Sequence, residues 1–159
     1  MLLVQSYLAL SNVHGIGLFA GEDIIRGTEI WAYHPHSCQI YSRPGFYELC
    51  SHISLNAILN LLNYSYIKNQ RVFYICDNTR FINHSLNDHN IGFVEEGKEI
   101  ALRDIKQGEE LLENYFLSYD ENDFFTNINL FETKNREFLL QQLEQICVDR
   151  QNISCKVIL

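Results

Sequence analysis

Short apolar stretches dominate the first third of the chain, at residues 2–10, 18–20 and 29–33. They predict strands, separated by glycines at 15, 17, 21 and 27, where the backbone can turn without Cβ strain. Over residues 51–62 the period changes. Ile53, Ala57, Ile58, Leu61 and Leu62 recur at helical spacing and predict a helix. Residues 71–76 return to strand character, and Asp77-Asn78 breaks it. Residues 91–94 and 99–102 read as further strands, with a turn at 106–109. The clearest helix is 132–150, where Phe138, Leu139, Gln142, Leu143 and Ile146 share one face. Many short strands, one middle helix and one C-terminal helix predict an α+β domain that is mostly β.

Composition adds constraints. A chain of 159 residues can bury one working core. It has two prolines and no Ser/Gly-rich linker, so no internal domain boundary is expected. The apolar start lacks a basic n-region and a good cleavage site, which makes it a buried strand rather than an export signal. No run approaches the ~20 apolar residues that span a bilayer, so no membrane partner is expected. Five cysteines, an odd number without close pairing, suit reduced thiols and a cytoplasmic location. The formal net charge of −8 argues against a nucleic-acid partner, which normally meets a basic face. It favours a cationic partner, although acidity that serves only solubility would look the same.

Three separated segments carry the chemistry. The first is His14-Gly15-Ile16-Gly17-Leu18-Phe19-Ala20; by itself a Gly-x-Gly is as well explained by a hairpin turn. No third glycine opens a helix, so it is not a dinucleotide fingerprint. The second is Asp77-Asn78-Thr79-Arg80-Phe81-Ile82-Asn83-His84-Ser85. The third is Ala101-Leu102-Arg103-Asp104-Ile105, followed by Gly108-Glu109-Glu110-Leu111 and Asn114-Tyr115. In this order the three resemble the SET-domain protein-lysine methyltransferases, most closely the small stand-alone bacterial type, which share the Asp-Asn-x-Arg-Phe lead-in and the Trp at Trp31.

That resemblance implies a fold of several small sheets with a C-terminal pseudoknot, a SET domain over 1–120 and a helical extension over 121–159 packed on it. It implies transfer of a methyl group from S-adenosyl-L-methionine to a lysine amine of a protein with a basic segment, histone tails included. His14, Gly15, Ile16, Asn83 and His84 would hold the cofactor. Tyr115 and Tyr33 match aromatics at the reaction centre, while Glu113 and Tyr119 fall in the lysine channel. Glycine lets backbone approach a ligand where no Cβ intervenes, and an apolar channel favours the neutral, nucleophilic amine.

The chain departs from the family at several positions. Pro35 stands where a Tyr-x-Gly strand has glycine. Asp88-His89 replaces the usual Pro-Asn, unless Asn90 takes that role through a shift of one. Glu113 occupies a position usually aromatic and either pairs with the substrate ammonium or faces solvent. Asn114 replaces a frequent aspartate. A non-catalytic SET module that binds a peptide or cofactor is the alternative these changes keep open. His34-x-His36-x-Cys38 places three ligand-type side chains on one face of an extended strand, but a polar strand beside the cofactor pocket is the preferred reading and no metal is expected.

Overall fold

Ser6–Leu10 (β1) and Ile16–Ala20 (β2) pair antiparallel, Ser6 opposite Ala20 and Leu10 opposite Ile16. Their turn contains Gly15 at φ +52°, a left-handed conformation that glycine adopts without penalty. The computed structural model describes residues 1–95, 97–119 and 134–148. These fall into two units, Met1–Gln39 with Ile75–Glu121, and Ile40–Tyr74 with Asn122–Leu159.

The first unit is organised by a five-stranded sheet. Its strands are Glu29–Ala32 (β3), Asn83–His84 (β7), Ile91–Glu95 (β8), Lys98–Ala101 (β9) and Leu112–Glu113 (β10), in the order β3-β9-β8-β10-β7. Residues 108–111 first run along β2, with Leu111 N–H donating to the Leu18 carbonyl at 2.7 Å and Gly108 N–H to that of Ala20 at 2.8 Å. The chain then inserts β10 between β7 and β8, parallel to both. This insertion is the crossing that the expected knot requires. A core of Leu18, Ala20, Ile24, Ile30, Ile82, Ile91, Ala101, Ile105 and Leu111 closes around it. Burying an aliphatic side chain of this size stabilises by about 1.5–3 kcal/mol.

Asn90 holds the inserted strand. Its side chain is only 1% exposed; Nδ2 donates to the Glu110 carbonyl at 2.8 Å and Oδ1 accepts from Leu112 N–H at 2.9 Å. Its backbone N–H donates to the Leu112 carbonyl at 2.9 Å. One residue thus satisfies backbone polar groups on both sides of Leu111, one of them fully buried.

The second unit contains Arg43–Ser51 (α1), Leu55–Asn63 (α2) and Arg136–Cys147 (α4), with most of a sheet whose strands are Cys38–Ser42 (β4), Arg71–Ile75 (β6) and Ser65–Lys68 (β5), in the order β4-β6-β5. The middle of the chain therefore holds two helices where the apolar period predicts one. Ser42 caps α1, accepting from Gly45 N–H, with proline in the first turn. Ser54 caps α2. The two starts are typical N-terminal signals that the weak apolar period of α1 obscures. Helix α4 buries Leu139, Leu143 and Cys147, spaced by four, while Phe138 lies on the flank at 48% exposure. The predicted ends of this helix, residues 132–133 and 149–150, lie outside the described residues. Among the described residues no helix is long and apolar enough to cross a membrane.

Candidate functional site

The parallel pairing of β10 with β7 sets Leu112 opposite Asn83 and Glu113 opposite His84. The second and third motifs are thereby fused into one ridge. Asp77 caps the 3-10 turn Asn78–Phe81 that leads into β7, its carboxylate accepting from Thr79 N–H at 3.1 Å. Beyond β10, Asn114 caps the short helix Tyr115–Ser118 (α3), accepting from Phe116 N–H at 3.1 Å.

Asn83 ties this ridge to the Gly-x-Gly turn. Its Nδ2 donates to the carbonyls of His14 at 3.0 Å and Ile16 at 3.2 Å, and to Glu110 Oε1 at 2.9 Å. Three acceptors around one amide nitrogen fix the orientation of the amide. Glu110 Oε2 accepts from Ser11 Oγ at 2.9 Å, and Ser11 Oγ accepts from Val13 N–H at 2.8 Å. Gly17 permits this packing: a Cβ there would fall 2.2 Å from Glu110 Oε1. At Gly15 a Cβ would meet nothing within 4 Å, so the turn faces open space.

His84 and Tyr115 form the next layer. Tyr115 N–H donates to His84 Nδ1 at 3.1 Å, and the two rings lie 5.2 Å apart. An accepting Nδ1 leaves the proton of a neutral imidazole on Nε2. The Tyr115 hydroxyl donates to the Ile82 carbonyl at 2.5 Å. Burial, with the Glu113 and Glu99 carboxyls nearby, raises the Tyr115 pKa above its ordinary value, so the group is a neutral hydroxyl across the physiological range. Tyr119 stands edge-on to Tyr115 at 6.0 Å and to Phe93 at 5.9 Å, and Phe93 is edge-on to Trp31 at 6.4 Å.

The structure thus brings together His14, Ile16, Asn83, His84, Tyr115 and Tyr119, with Gly15 inside the turn. Glu113 does not face solvent; it is 3% exposed. Tyr33 stands apart. It is 45% exposed beyond the end of β3, its N–H donating to the Gly97 carbonyl at 2.8 Å. After Tyr33 the chain turns at Pro35, with Ser37 N–H on the His34 carbonyl at 2.9 Å, a turn that suits the fixed φ of proline.

Sequence reasoning missed three participants. Glu110 lies in the third motif, and nothing in the sequence pattern marks it as the acceptor for Asn83 and Ser11. Ser11 carries no motif signal. Glu99 sits in Lys98-Glu99-Ile100-Ala101, where a charged residue reads as solvent-facing, yet it is 5% exposed. The His34-His36-Cys38 trio turns out differently from an extended strand. The two imidazoles lie 5.1 Å apart, but Cys38 is buried and its thiol pKa is pushed up to about 12, chiefly by burial. Among the described residues no three ligand-type side chains converge as a metal site would require.

An inserted parallel strand, paired with the Asn-His strand β7 and tied through Asn83 to the glycine turn, is the arrangement at the centre of this site. The SET domain model matches residues 15–116, and the chain belongs to the SET domain family. Among solved structures it is similar to a chain of the Chaetomium thermophilum Polycomb Repressive Complex 2 bound to the inhibitor GSK126, at 25% identity and TM-score 0.54 over 87% of this chain and 17% of that one. The same complex in an autoinhibited conformation bound to S-adenosylmethionine matches at 23% identity and TM-score 0.55, over 89% and 17%. A Plasmodium falciparum protein described as a candidate histone methyltransferase matches at 20% identity and TM-score 0.49, over 72% and 95%. The chain therefore spans about one sixth of the Polycomb chains. No curated protein matches the sequence.

Proposed function

We propose that this protein is a protein-lysine N-methyltransferase using S-adenosyl-L-methionine. The observation that carries the reading is the Asn83 bridge, which gathers the His14 and Ile16 carbonyls and the Glu110 carboxylate at an open glycine turn beside His84 and Tyr115. This acceptor-rich corner suits the cationic amino group of the cofactor's methionine part. When bound, the cofactor supplies a methyl group activated by attachment to a positive sulfonium.

The chain's residues then have a positioning task. In-line displacement needs amine and methyl aligned and water excluded. Tyr115 donates its hydroxyl proton to the Ile82 carbonyl, which fixes the direction of the phenolic oxygen, and an oxygen held in this way suits weak C–H···O contacts from a polarised methyl group. Its raised pKa keeps it from acting as a base. The aromatic series Tyr115, Tyr119, Phe93 and Trp31 suits the alkyl stem and cationic head of a lysine. A protein substrate with a basic segment fits the net charge of −8.

Calorimetric titration with S-adenosylmethionine and S-adenosylhomocysteine tests the reading. Saturable one-to-one binding that is lost in the Asn83→Ala/His84→Ala double variant, followed by labelled-methyl transfer to a basic protein, is the expected result. Absence of binding to either compound overturns it.

A further inference from the structure

The sheet carries a second feature that the methyl-transfer reading leaves unused. Glu99 is paired with Trp31 on one side and with Phe93 on the other, while Glu113 is paired with His84 and with Ile91. Paired residues on neighbouring strands project to the same face. Glu99 and Glu113 therefore lie on one face of the sheet, on strands β9 and β10 that flank β8, among the rings of Trp31, Phe93 and His84. Both side chains are buried.

Glu99 is the more informative of the two. Its Oε2 has no hydrogen-bond partner among the described residues, and neither does Nε1 of the paired Trp31. These adjacent groups do not satisfy one another. A buried polar atom left unpaired costs about 1–3 kcal/mol, and two carboxyls at close quarters add mutual repulsion. A fold with no use for the charge would be more stable with apolar residues here. The groups that face Glu99 are Glu113 from β10, Asp77 from the turn before β7, and the Met1 amine, which also lies 3.9 Å from Asp77. The balance is acidic.

We infer that Glu99 and Glu113 form the polar floor of the lysine pocket and receive the cationic nitrogen of the substrate. The inference rests on the methyl-transfer reading and deepens it by assigning what selects an amine. The aromatic rings provide the walls, and the two carboxyls provide the charge that a neutral side chain of equal length would not satisfy. Burial, repulsion from Glu113 and the field of Asp77 raise the Glu99 pKa well above the ordinary glutamate value. An arriving ammonium reverses that balance by favouring the charged carboxylate.

The test uses protein labelled with carbon-13 at the glutamate carboxyls and saturated with S-adenosylhomocysteine. It is titrated with Nα-acetyl-lysine methylamide and, as a control, with the norleucine analogue. The lysine derivative is expected to move the two carboxyl resonances that vanish in E99Q and E113Q, and the norleucine analogue is not. Affinity for the lysine derivative should fall about tenfold in either variant, while binding of S-adenosylhomocysteine is kept. Unmoved carboxyl resonances, or equal affinity in the wild type and E99Q, overturn the assignment. Failure to bind S-adenosylhomocysteine counts against the methyl-transfer reading instead, and the lysine titration is then judged alone by the same criteria.

Discussion

Asn83 Nδ2 stands 2.9 Å from Glu110 Oε1, and this contact welds two motifs 27 residues apart into one corner. The same amide reaches the carbonyls on either side of Gly15. Glu110 thus sets the position of Asn83 without belonging to the glycine turn itself.

Replacing Glu110 with alanine removes acceptors for Asn83 and Ser11 together. Hydrogen bonds to a charged group contribute about 1.5–3 kcal/mol, so urea denaturation should show a loss of that order. Gly17→Ala reaches the same corner by crowding, since its Cβ would displace the Glu110 carboxylate. Calorimetry should show weakened S-adenosylhomocysteine binding in Gly17→Ala. Adding Glu110→Ala to that variant removes the clash, and no further loss of affinity is expected.

Asn90 is the clasp on β10. Asn90→Ala leaves the buried Leu112 N–H and the partly buried Glu110 carbonyl without their partner. Each orphaned group costs about 1–3 kcal/mol, which makes this one of the most destabilising single changes in the first unit. Loss of cooperative unfolding or a large drop in the urea midpoint is the expected outcome, and a midpoint like the wild type's contradicts the role.

Tyr115 and His84 should separate turnover from affinity. Tyr115→Phe removes the hydroxyl but keeps the ring tilted against His84 and edge-on to Tyr119. Labelled-methyl assays should show reduced turnover with cofactor affinity nearly intact. His84→Ala removes the acceptor of Tyr115 N–H and should weaken cofactor binding first. A strong loss of affinity in Tyr115→Phe would reverse these assignments.

Glu99 gives the fold a pH dependence of definite sign. Its pKa is raised in the folded protein, so the folded state binds more protons than the unfolded one between the ordinary value of 4.5 and the raised value. Its contribution to stability is complete below the unfolded pKa and is lost as pH rises through the folded one. Glu99→Gln removes this dependence. Comparing urea midpoints at about pH 5 and about pH 8, the wild type should lose more stability than the variant.

The cysteines differ in reactivity. Burial pushes the thiols of Cys38 and Cys50 up to about 12 and that of Cys147 to about 11. Only the thiolate reacts with disulfide reagents. Native titration with an aromatic disulfide should therefore leave these three unmodified until denaturant is added. Rapid modification of any of them in the native protein would contradict its burial.

Much of the fold was legible in the sequence. Strands β2, β3, β6, β8 and β9 lie within a residue or two of where the apolar runs placed them, because half-buried strands write a local pattern. The motif residues were legible as residues, through resemblance. What could not be read locally was pairing. Strands β7 and β10 are two residues long, too short for any period, and exist only because each supplies the other's hydrogen bonds. The resemblance sets Tyr33 and Tyr115 side by side as reaction-centre aromatics, yet Tyr33 is exposed at the turn into Pro35, while Tyr115, directly after β10, is half-buried against His84 and Tyr119. Glu99 reads locally as a surface charge, and Glu113 either as a partner of the substrate ammonium or as a solvent-facing group, because local alternation cannot reveal that a strand from late in the chain inserts into the sheet. Sequence alone determined which short segments and which side chains this protein has to work with. Tertiary structure decided which of them meet, since the meeting depends on a strand contributed from long range.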